Sequence, residues 1–114
     1  MNSISLSDAA VLGFFELDDS GVVRFSSSSS ISWSGDHSII GQNFFEQTAF
    51  RNRDDLRRLF RRFVESREGA DAFSFDCFYD DSVLHTRFTL TRAFETDLFP
   101  PESIVMVSIR ETGG

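Results

Sequence analysis

The sequence predicts an α+β domain: a five-stranded antiparallel sheet with several short helices and one long helix on one face. Three observations predict it. Two short β-prone runs around a Gly-terminated acidic turn open the chain, and after Gly69 the apolar pattern drops to period two. One stripe of apolar residues at steps of three and four marks a long amphipathic helix. The final run is apolar at consecutive positions, as a central strand covered on both sides requires.

Ser5 to Leu12 reads as a short helix leading into the first strand, with Ser7 and Asp8 near its start. Gly13 to Leu17 and Val22 to Phe25 flank Asp18-Asp19-Ser20-Gly21, an acidic turn closed by glycine, which predicts a hairpin. Five serines, Ser26 to Ser30, follow as an exposed loop. From Ile31 to Phe50 apolar residues come in clusters broken by Gly35 and Gly41, a pattern suited to several one- or two-turn helices. Asn43 is placed to cap the turn carrying Phe44 and Phe45.

Leu56, Leu59, Phe60, Phe63 and Val64 form the stripe of the long helix, expected over about 53–68. Asn52 or Arg53 precedes it, Asp54 and Asp55 suit its first turn, and Gly69 reads as its stop. Beyond it Phe73, Phe75, Cys77 and Tyr79 alternate with polar residues, as do Leu84, Thr86, Phe88, Leu90 and Phe94. Asp80-Asp81-Ser82 joins the two runs into a long hairpin. A polar loop with Pro100-Pro101 leads to Ser103–Ile109, expected in the middle of the sheet beside the first strand.

A chain of 114 residues has room for one domain with its own core. Its net charge of -7, with arginine as the only basic residue besides histidine, disfavours nucleic acid and anionic membranes as partners. The single cysteine, Cys77, excludes an internal disulfide and a multi-thiolate metal site. No apolar run approaches the roughly 20 residues that span a bilayer. Met1 to Leu12 lacks the basic end and apolar stretch of a secretory signal, so a cytoplasmic domain is expected. His37 and His85 have no dyad or triad spacing, and the acidic pairs read as turn and helix-start residues, so neither catalysis nor a metal site is expected. Seven arginines against four acids between 51 and 68 read as the solvated face of the long helix.

The order of elements, and several residues within it, resemble the PAS domain family. Leu17 to Phe25 is similar to the first hairpin of that family. Ile39-Ile40-Gly41-Gln42-Asn43-Phe44-Phe45 resembles the V-I-G-K-N-F-F run of its photoactive yellow protein branch. The likeness covers about residues 7–110 of a single PAS-like domain spanning 1–114. It implies the PAS fold but not the photochemistry. Arg51 stands where that branch attaches its chromophore to cysteine, and Phe25 where a tyrosine holds the phenolate. The serine run spans the position of the partner glutamate. Asn43-Phe44-Phe45 stands at the run that carries the reactive cysteine in the flavin-thiol branch. The long helix has no histidine of the kind that ligates haem in other branches.

These readings converge on a non-enzymatic PAS-like signalling module acting by protein–protein interaction or dimerisation through its sheet, tuned by a small apolar ligand. Phe15, Trp33, Phe45, Phe60, Phe63 and Phe88 are the pocket candidates. Val23, Phe25, Phe73, Phe75 and Val105 are the interface candidates, since the sheet has more bulky residues than one helical layer covers. The partner is a second copy or a larger signalling protein, and Met1–Leu12 is available to cover part of that face. No cofactor is expected; the alternative is a haem- or flavin-bound sensor regulating a separate output domain.

Overall fold

The structure, a computed structural model, describes residues 11–27, 39–95, 97, 99 and 102–113. Strands β1 (Val11–Asp18) and β2 (Val23–Ser26) form the first hairpin. The Asp18 carboxylate makes its turn, accepting the backbone N–H groups of Ser20 and Val22, each at 2.9 Å. Next come helices α1 (Phe44–Gln47) and α2 (Arg53–Glu65). Strands β3 (Ala70–Phe78) and β4 (Val83–Glu95) make the long hairpin, and β5 (Glu102–Glu111) closes the chain. The sheet has five strands, all antiparallel, in the order β2-β1-β5-β4-β3. The last strand therefore lies in the centre beside the first. Ile104, Val105, Val107 and Ile109 are all buried there, as its consecutive apolar residues predict.

Strand register separates the two faces. Phe15 and Leu17 of β1 pair with Val107 and Val105 of β5, which pair with Leu90 and Arg92 of β4; the neighbouring rows run from Ile109 through Phe88 to Phe73 and from Thr86 to Phe75 of β3. This inner face joins Phe44, Phe45, Phe50, Leu56, Phe60 and Phe63 in one core cluster, so both helices lie on the same side of the sheet. The core is built largely of phenylalanine. Phe15, Phe44, Phe50 and Phe88 are each fully buried, and each such burial stabilises by about 1.5–3 kcal/mol.

Three expectations are corrected. Helix α2 ends at Glu65, short of Gly69, because Ser66 caps it: the Ser66 hydroxyl and N–H both donate to the Phe63 carbonyl. The helix expected over 5–12 fails at its end, since Val11 and Leu12 already belong to β1; residues 5–10 lie outside the described residues. Within 39–50 a single helix, α1, forms, and the rest of that expectation, with Trp33 and His37, lies outside the described residues.

Candidate functional site

Five of the six pocket candidates come together. Phe15, Phe45, Phe60, Phe63 and Phe88 are all buried between sheet and helices, while Trp33 lies outside the described residues. Their rings interlock edge to face and tilted, with centroids 4.9 Å apart for Phe15–Phe44 and 5.2 Å for Phe45–Phe60. Phe73 stacks on Phe88 at 5.8 Å. The void that Phe45, Phe60, Phe88, Leu56 and Leu90 help to line is about 10 Å³. That is hardly room for one water, let alone a ligand.

The interface candidates divide between the two faces. Val23 and Val105 are fully buried, Phe75 nearly so, and Phe73 half-buried, all on the helix-covered face. Those four are core. Phe25 alone points the other way, 45% exposed. Two residues apart on a regular strand, Val23 and Phe25 would share a face. A bulge prevents it: Val23 pairs with Leu17 and Phe25 with Glu16, so Arg24 is the extra residue and the alternation flips. Phe25 therefore cannot reach the space between sheet and helices.

Around Phe25, register builds the outer face. Phe25, Glu16, Met106 and Thr91 form one row across β2, β1, β5 and β4, and Phe14, Ser108 and Thr89 form the next. Phe14 meets Phe25 edge-on, with centroids 6.3 Å apart. Phe14 and Met106 are half-buried, whereas Ile104, in the neighbouring row, is nearly fully buried. Towards β3 the face turns polar, with Ser74, Arg87 and an Asp76–His85 pair whose Oδ1 and Nδ1 lie 2.8 Å apart. The N-terminal segment expected to cover this face lies outside the described residues except for Val11 and Leu12.

A cleft of about 390 Å³ lies between the β1–β2 turn and α2, lined by Asp19, Ser20, Asn43, Glu46, Arg57 and Arg61 among others. The Arg57 guanidinium sits 5.7 Å from the centre of the Phe45 ring and 3.9 Å from Glu46. The mixed charges converge on no single point, and the sequence reading missed the cleft because its walls come from three separate segments.

Two polar devices were also missed. Arg92, at an inward position of β4, donates to the carbonyls of Phe63 (2.9 Å), Val64 and Ser66 and lies over the Phe63 ring. It closes the C-terminus of α2. A lone arginine in phase with Phe88 and Leu90 was the signal. Asn52, at the start of α2, leaves the helix uncapped and hydrogen-bonds β3 instead, donating to Asp76 O at 2.7 Å and accepting from Phe78 N at 3.1 Å.

Cys77 is fully buried, and burial pushes its thiol up to about 11, against a smaller opposing effect of the Thr86 hydrogen bond. It packs as a small apolar residue rather than serving as a nucleophile. Among the described residues no group of three or more His, Cys, Asp or Glu side chains could hold a metal ion. Nor is any described helix long and apolar enough to cross a membrane. The chain matches no protein-family model and no curated protein.

Proposed function

We propose that the chain is a PAS-like, non-enzymatic signalling module that works by associating with a second copy of itself through the outer face of its sheet. The observation that carries this reading is the Phe14–Phe25 ring pair, with Met106 in the row of Phe25, standing away from the helices. A bulge turns Phe25 out of its own core, and an aromatic side chain held in water gains by burial against another surface. The PAS reading rests on element order, on a central last strand, and on the Ile39–Phe45 run, whose Asn43 ties α1 to the first turn through Ser20 O. A ligand-tuned version has little support in a void of about 10 Å³.

Sedimentation velocity over a range of concentrations tests the reading. The wild-type chain is expected to self-associate reversibly, and Phe25→Asp to weaken that association by at least about tenfold, as loss of an aromatic anchor does. Added salt should tighten it, because two chains of charge -7 repel and salt screens the repulsion. An unchanged association constant in Phe25→Asp would overturn the proposal.

A further inference from the structure

We propose that the outer edge of β3, from Ala70 to Ser74, pairs antiparallel with the same segment of a second copy, about a two-fold axis at Ala72. The contact is separate from the sheet face of the preceding proposal.

The phase of the edge follows from its capped end. Asp76 O, Phe78 N and Phe78 O all bond away from β4, to the Asn52 side chain and to Arg51 N. Backbone groups alternate along an antiparallel strand, so those of Ala70, Ala72 and Ser74 point to the same outer side. The Ala72 N–H agrees, donating to its neighbour's carboxylate, Asp71 Oδ1, at 2.9 Å. Among the described residues β4 is the one strand that pairs with this stretch, and none pairs on its outer side. The opposite edge of the sheet differs, because β2 is covered by the 41–43 segment through Val23 N to Gln42 O and Gly41 N to Val23 O.

The occupant follows from the same geometry. Asn52 and Arg51 block the strand from Asp76 onward, which leaves a free row centred on Ala72. A row symmetric about one residue is self-complementary under a two-fold axis: Ala72 meets Ala72 of the other copy, and Ala70 meets Ser74. The facing side chains on the outer side are therefore alanine and serine, small enough to permit approach. On the inner side Asp71 falls opposite Phe73, so no like charges stand directly across from each other. The free row carries no proline or bulge, two devices that blunt an edge, and Asp71 is its one charge. Pairing exchanges the local Asp71 bond to Ala72 N for a ladder bond and yields one continuous sheet across both copies.

Site-directed crosslinking tests this. Ala72→Cys is introduced together with Phe25→Asp, so that the face contact is weakened, and the protein is oxidised mildly; Val83→Cys, exposed on the same hairpin, reports random collision. Buried Cys77 does not compete. The expected result is covalent dimer at position 72 well above the collision control. Ser74→Pro should abolish it while the circular dichroism stays native, since that N–H bonds nothing in β4. If Ser74→Pro perturbs the fold, mixed Ala70→Cys and Ser74→Cys chains provide the register: they should crosslink to each other faster than either does to itself. Crosslinking at 72 no faster than the control, or crosslinking that vanishes with Phe25→Asp, would overturn the proposal.

Discussion

Gly21 shows how single residues set the geometry of the first hairpin. Its φ is +92°, and a β-carbon there would stand 2.9 Å from Cε2 of the buried Phe45 ring. Gly21→Ala meets both a left-handed backbone and a close contact, so it should destabilise by about 1–3 kcal/mol, read from urea unfolding. A change within about 0.5 kcal/mol, the usual range for a surface substitution, would refute the assignment. Cys77 makes a second prediction at this scale. Burial pushes its folded thiol up to about 11, above the ordinary thiol value of about 9. The stability it contributes is complete below pH 9 and is lost as pH rises through 11, since the unfolded thiol ionises first. Cys77→Ala should flatten that alkaline decline, measured as unfolding free energy against pH. The Asn43 cap was legible in the sequence, as was the burial of Cys77. The opposite orientations of Val23 and Phe25 were not, because nothing in Val-Val-Arg-Phe announces a bulge at Arg24.

At the scale of elements, α2 and β4 depend on each other. The stripe from Leu56 to Phe63 was legible because helical spacing is a local property. The helix end was not, because its closure combines the local Ser66 cap with an arginine 26 residues further on in the chain. Arg92→Met keeps an apolar stem over Phe63 but removes the donors to Phe63 O and Val64 O. It should cost about 1.5–3 kcal/mol, the range for hydrogen bonds to a charged group, and speed amide exchange in the last turn of α2. Exchange that stays at the wild-type rate would show that Ser66 alone closes the helix. Asn52 presents the same lesson. A residue at a helix start reads as a cap, yet its amide serves the edge of a strand.

For the whole molecule, the sheet order was legible because the most apolar run had to be covered on both faces, and only the central position offers that. Which residues make each face was only partly legible. Counting bulky side chains indicated that they could not all lie under the helices, but of the five residues it chose only Phe25 points outward, while Val23, Phe73, Phe75 and Val105 point inward. Register, which the sequence does not print, sets Phe14 and Met106 beside Phe25 on the outer face. The picture is a phenylalanine-filled core whose void among the described residues is about 10 Å³, and an outer face with aromatic rings to bury. Native mass spectrometry of the Ser74→Pro chain, with the β3 edge closed, tests that picture most directly. The account predicts a species at twice the chain mass that grows with concentration and carries no added small molecule. A species that stays at the mass of one chain at every concentration, or retains a stoichiometric small molecule, would contradict it.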